Sequence, residues 1–204
     1  MFSLPPLALL ITGALTVAAC QASRGHVVSP TEVAERDGWK LVEGVPFVEQ
    51  RGEKDCGAAA VAMVLRYWGV PAGAENAVST DVASGERGLR ASELRELVRA
   101  RGLDAFLIKG EPADLRTEIE HRRPLIVGLA RHSGQAVIGH YEVVVGFHPA
   151  RRRILTLDPA AGWRESSFQA FAAEWAGAQQ LALVVFRRAP PAVPPPRPAR
   201  PVSH

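Results

Sequence analysis

Hydrophobic positions recur along the chain in two rhythms, and the change from one to the other divides the molecule. From Cys56 to Tyr67 an Ala-rich apolar run follows Asp55, a good N-cap residue type, and ends on Gly69 and Pro71. That punctuation predicts a largely buried helix beginning at Cys56. Leu94, Leu97 and Val98 share one face of a second, amphipathic segment, with Ser92 expected as its cap and Gly102 as its end. A third helix is predicted from Pro112 to about Arg122. Beyond it the period shortens. Residues 125–129, 141–147, 154–157 and 181–186 are short apolar runs with β-branched residues and turn signals between them, which predicts strands. Phe168, Phe171, Ala172 and Trp175 then fall at i, i+3, i+4 and i+7, placing one more helix after Ser167. Helices first and strands later predict an α+β fold, an N-terminal helical part packed on a C-terminal antiparallel sheet.

The same pattern frames the ends. Leu7 to Ala19 is almost wholly apolar, short for a membrane span and the right length for the h-region of a secretory signal. Its close, Val17-Ala18-Ala19-Cys20, resembles the lipobox of bacterial lipoproteins. The resemblance implies cleavage before Cys20 and lipid attachment to it. Gln21 follows rather than Asp, which resembles the sorting pattern for the outer membrane, so a lipid-anchored protein of the bacterial cell envelope facing the periplasm is expected. Residues 189–204 hold seven prolines without apolar periodicity, which predicts a disordered tail. The expected organisation is a signal peptide over 1–19, a linker over 20–44, one domain over 45–188 and a proline-rich tail over 189–204.

Composition narrows the function classes. With 204 residues, 47% of them hydrophobic, the chain suffices for one core but not for a second full domain beside the two tails. The formal charge of +3 comes from scattered arginines, of which only Arg151, Arg152 and Arg153 form a run, and this argues against nucleic acid as a partner. Neither an internal repeat nor a Gly-rich phosphate loop is present. The two cysteines, Cys20 and Cys56, stand in unrelated contexts, so each is explained separately rather than as a disulfide.

Cys56 carries the chemistry. A nucleophilic cysteine must be a thiolate, and the N-terminus of a helix together with a nearby imidazolium favours that form. Gly57 puts no side chain in the way of a substrate, and the amide of Gln50, six residues upstream, can donate to an oxyanion together with the N–H of Cys56. His132, His140 and His148 recur every eight residues, a spacing that matches no helix face and no zinc pattern, so no metal is expected and the histidines are read as solvent-facing, His140 apart. Glu142 projects to the same side of a strand as His140, either to tune it or, as the simpler expectation, to face solvent. Trp163, in a loop after Asp158, is a candidate for the wall of a cleft.

The run Gln50-Arg-Gly-Glu-Lys-Asp55-Cys56-Gly57-Ala58-Ala59 closely resembles the active-site segment of the C39 peptidases, the bacteriocin-processing, double-glycine type of the papain-like superfamily. His140-Tyr141-Glu142-Val143-Val144-Val145-Gly146 resembles that family's histidine strand, and Leu157-Asp158-Pro159 the segment of its third catalytic residue. The resemblance implies a papain-like fold, Cys56 as nucleophile, His140 as its base, Asp158 orienting the imidazole, and Gln50 in the oxyanion site. It implies no cofactor. The expected activity is thiol-dependent hydrolysis of a peptide bond in an exported or envelope polypeptide, with a secretion system as a possible partner. The alternatives are a non-proteolytic substrate-binding module of the same family, and another reaction of the Cys–His machinery such as amide hydrolysis or transpeptidation.

Overall fold

The aliphatic runs of the second half pair into one antiparallel sheet whose buried strands form the core of the protein. The computed structural model describes residues 25–34, 37–70 and 88–187. In chain order the elements are β1 (His26–Val27), α1 (Pro30–Ala34), β2 (Lys40–Leu41), α2 (Cys56–Tyr67), α3 (Ala91–Arg99), β3 (Asp104–Lys109), α4 (Pro112–Glu120), β4 (Leu125–Ser133), β5 (Ala136–His148), β6 (Arg153–Asp158), β7 (Gly162–Ser167), α5 (Phe168–Gly177) and β8 (Leu181–Phe186). Cys20 with the signal-like segment, and the proline-rich end, lie outside the described residues. Strand order is β1-β7-β6-β5-β4-β8-β3, and β2 joins β5 off this path. The α+β reading therefore holds, with the helices packed on an antiparallel sheet.

α2 is the most buried helix, with every residue from Cys56 to Leu65 inside. Small residues along Ala58, Ala59, Ala60 and Ala62 let its backbone lie close to β5 and α3. Asp55 takes the N-cap position, but its side chain makes no cap bond. In α3 the cap differs from expectation. Ser92 lies inside the first turn, and Glu93 reaches back to accept the Arg90 N–H at 2.6 Å. α5 starts as predicted: Ser167 Oγ accepts the Ala170 N–H at 3.2 Å, and Phe171 and Trp175 are buried.

Three stretches depart from the sequence expectation. The segment read as a linker enters the fold: β1 pairs with β7, β2 with β5, and Val28, Val33 and Val42 are buried in the core. β3 was not predicted, and it sits at the edge of the sheet, paired with β8 alone and half exposed. β7 was read as loop because Gly162-Trp-Arg-Glu-Ser-Ser167 is polar; Arg164 and Glu165 are nevertheless buried, each with an ionic partner from the sheet. Among the described residues no helix is long and apolar enough to cross a membrane.

β4 and β5 form a long hairpin closed by Gly134 and Gln135, with Gly134 at a φ of +61° that suits glycine. At its other end β5 shifts register against β6 between Val144 and Gly146. A Cβ on Gly146 would stand 2.5 Å from Leu41 Cδ2 and 3.0 Å from the Lys40 carbonyl oxygen, so only glycine lets β2 dock there. Gly146→Ala is expected to lower stability by about 1–3 kcal/mol through this overpacking, read as an earlier urea midpoint with an unchanged m-value.

Candidate active site

Three elements meet at the thiol. Cys56 opens α2, His140 lies in β5 where the exposed hairpin passes into the core, and Asp158 ends β6. His140 Nε2 donates to Asp158 Oδ1 at 2.7 Å. The ring's Nδ1 is thus the nitrogen free for Cys56, whose thiol is hydrogen-bonded to the imidazole. His140 is 10% exposed at its side chain and Asp158 2%. Asp158 does two jobs with one carboxylate. Its Oδ1 also accepts the Ala160 N–H at 2.9 Å, so the turn that the Asp-Pro pair opens is what aims it at His140.

Electrostatics favour a charged pair. Burial, the largest single influence on Cys56, pushes its thiol upward. The hydrogen bond to His140, the N–H of Tyr141, the imidazolium charge and the N–H of Gly57 together outweigh it, and the thiol ends below its ordinary value. For His140 burial is again the largest influence and lowers it, while hydrogen bonds to Asp158 and Cys56 bring it above the ordinary imidazole value. Burial pushes Asp158 up, but the His140 hydrogen bond, the Arg131 charge and the Ala160 N–H bring it down to about 2. Tyr141 is pushed up to about 12 by burial and by the charges of Cys56 and Glu93, and stays a neutral phenol.

Gln50 is joined to this group through its backbone. Its N–H donates to the Pro159 carbonyl at 3.0 Å, beside Asp158. The side-chain Nε2 donates to the Gly52 carbonyl at 3.0 Å, and Oε1 is buried without a partner among the described residues. Of the two N–H groups that an amide nitrogen carries, the Gly52 bond uses one. Because Asp55 does not cap α2, no side-chain cap covers the amides of the helix's first turn. A cleft of about 410 Å³ lies over the thiol, lined by Leu89, Leu129, His140 and Tyr141 and by the hairpin residues Val137 and Ile138. Those last two are 61% and 51% exposed.

Several residues fall elsewhere than expected. Glu142, expected to face solvent, has no exposure at all. It accepts from Arg131, from Thr156 Oγ1 at 2.5 Å and from Arg164 Nη1 at 3.2 Å. His148 is buried rather than solvent-facing, with Nε2 donating to the Asp37 carbonyl at 3.0 Å. His132 is exposed. Trp163 belongs to β7 and packs against the core instead of lining the cleft over Cys56. Donor atoms of His140, Glu142 and Asp158 lie within 4.8 Å of one another. The Arg131 guanidinium is bonded to both Glu142 and Asp158, and Arg164 to Glu142 as well. Nothing in the sequence pointed to Arg131, because only the pairing of β4 with β5 brings it there.

A thiol below its ordinary value and an imidazole above its own give a thiolate–imidazolium pair whose window opens on the acid side of an ordinary cysteine. Alkylation of Cys56 by iodoacetamide is expected to persist to lower pH than that of an ordinary cysteine. In His140→Ala burial loses its main counterweight, and the titration is expected to move up to or past that of a free cysteine, near 8.5.

Comparison with known proteins places this geometry. The model of the peptidase C39 family matches residues 44–188. Among solved structures the chain is similar to a double glycine motif protease from an AMS/PCAT transporter, crystallised in complex with the leader peptide: 24% identity, TM-score 0.55, covering 70% of this chain and 91% of that one. It is similar to the peptidase domain of ComA from Streptococcus, a bifunctional ABC transporter of a quorum-sensing pathway, at 22% identity and TM-score 0.58, over 71% of this chain and all 100% of that one. A C39-like peptidase from Bacillus anthracis is similar at 16% identity and TM-score 0.58, over 76% and 100% of the two chains. No curated protein matches. At these identities the solved structures establish the fold, and the family model, which spans most of the chain, establishes the rest: this protein belongs to the C39 family of cysteine peptidases.

Proposed function

We propose that this peptidase hydrolyses a peptide bond in an exported or envelope polypeptide through an acyl-enzyme on Cys56. The observation that carries the reading is the single imidazole bonded on one side to Cys56 and on the other to Asp158. The Cys56 thiolate attacks the scissile carbonyl carbon. The oxyanion that forms is held by the Cys56 N–H and the second side-chain N–H of Gln50. His140 then gives its Nδ1 proton to the leaving amine, and the carbon–nitrogen bond breaks to leave a thioester. Water, deprotonated by His140, attacks the thioester and releases the acid and the thiol. A substrate-holding module without activity would need none of these groups in line.

Gly57 does not serve substrate access as the sequence suggested: where its Cβ would be, buried Leu94 Cδ2 stands at 3.0 Å, so glycine there lets α2 pack on α3. One feature supports an extended peptide with apolar side chains. The exposed Val137 and Ile138 beside the cleft offer an apolar rail for an extended chain. A Gly-Gly pair, as in the substrates of the double glycine motif protease above, is the first sequence to offer. Location rests on the lipobox-like run ending in Cys20, which supports a lipid anchor facing the periplasm.

With a peptide carrying Gly-Gly before the scissile bond, Cys56→Ala and His140→Ala are expected to remove turnover while leaving the circular dichroism spectrum unchanged. Gln50→Ala is expected to lower kcat by about 10²-fold, the loss typical of one oxyanion donor. Cleavage by folded Cys56→Ala would overturn the assignment. For the anchor, Cys20→Ala expressed as the full chain is expected to shift from the membrane to the soluble fraction and to lose labelling by a radioactive fatty acid.

A further inference from the structure

The hydrogen-bonded line does not stop at Asp158. Its Oδ2 accepts from Arg131 Nη2 at 2.9 Å, and the same nitrogen donates to Glu142 Oε1. Glu142 accepts in turn from Thr156 and from Arg164, and Arg164 Nη2 reaches Glu174 on α5 at 3.0 Å. Charges alternate along the whole line, from thiolate to imidazolium, Asp158, Arg131, Glu142, Arg164 and Glu174.

A neutral donor on Asp158 Oδ2 would be enough to aim the carboxylate. Arg131 aims it too, but a bare guanidinium there opposes the imidazolium, and its charge does act downward on His140. Glu142 is placed to cancel that charge. It shares the Arg131 nitrogen, is fully buried, and its carboxylate lies within 4.8 Å of the imidazole. We propose that Arg131 and Glu142 form a charge-neutral positioning pair that clamps Asp158 onto His140 and sets the pH window in which the Cys56–His140 pair is active. This rests on the reading of Cys56 and His140 as the reacting pair.

The signs follow from the groups facing His140. These are Cys56 from α2, Asp158 from β6, Arg131 from β4 and Glu142 from β5, with Arg164 of β7 behind Glu142, Tyr141 and Glu93 beyond Cys56, and Glu53 and Lys54 at the rim of the cleft. Arg131→Gln leaves one more negative charge. It makes the thiolate harder to form and the imidazolium harder to lose, so both limbs of a pH–rate profile move up. Glu142→Gln leaves one more positive charge and moves both limbs down. For charges at this range a displacement of about one pH unit is expected.

The experiment is the pH dependence of Cys56 alkylation and of peptide cleavage in the full chain, for Arg131→Gln, Glu142→Gln, the double variant and Arg131→Lys. Opposite displacements in the two single variants, and limbs back within about 0.3 unit of the parent in the double, support the pair; a lower kcat persists in the double because Asp158 has lost its clamp. Arg131→Lys keeps the charge and, like Nη2, can donate to both carboxylates from one nitrogen, so its limbs should stay in place. Limbs that stay where they are in both single variants, or move the same way, overturn the proposal and leave a purely structural network. Should Arg131→Gln fail to fold, Glu142→Gln decides by itself: its limbs must move down. A parent whose alkylation lacks the His140-dependent acid limb would instead sink the Cys–His reading, and this proposal with it.

Discussion

A carboxylate cut off from water cannot stay ionised without cations and donors around it, and Glu142, fully buried in the sheet, imposes that condition on its neighbours. Its partners come from three other strands: Arg131 from β4, Thr156 from β6 and Arg164 from β7. Each must arrive with its side chain on the same side as Glu142. Because side chains alternate along a strand, a slip of one residue in any of these pairings would turn a partner away and strand the charge. The four central strands are therefore locked in register by one ion. Arg131 extends the lock to Asp158, so the constraint that specifies the sheet also aims the carboxylate at His140.

The helical part contributes what a sheet cannot. An isolated thiol in the core would be pushed toward its neutral form, as burial does push Cys56. Placing it at the first position of α2, without a side-chain cap, exposes it to helix amides and to the His140 imidazole. The Cys56–His140 pair thus forms only where α2 docks on β5, and the small residues of α2 set how close that docking is. Burial is then an asset, since water is kept from a pair whose attraction strengthens as the local dielectric falls.

What could be read ahead of the structure had local causes. α2 was legible from its apolar run and its Gly-Pro ending; β4, β5, β6 and β8 from β-branched runs; α5 from Ser167 and the spacing of Phe171 and Trp175. Cys56, His140 and Asp158 were legible through their resemblance to a family pattern, and the structure puts them in one line. β7 escaped because its burial is ionic, so Arg164 and Glu165 read as solvent-facing. β3 escaped because an edge strand needs only a partial apolar stripe. Residues 25–44 escaped because two-residue strands carry no period at all.

The sequence by itself determined the class of fold, the helix that starts at Cys56 and the order of the residues that meet there. These depend on propensity, on hydrophobic period and on short runs of neighbours, all of which are local along the chain. Only the tertiary structure decided that Glu142 is buried, that Arg131 bridges it to Asp158, and that the Gln50 amide nitrogen turns to the Gly52 carbonyl. The reason is physical. The cost of a buried charge is cancelled by partners from other strands, and strand register, which the linear sequence does not carry, selects those partners.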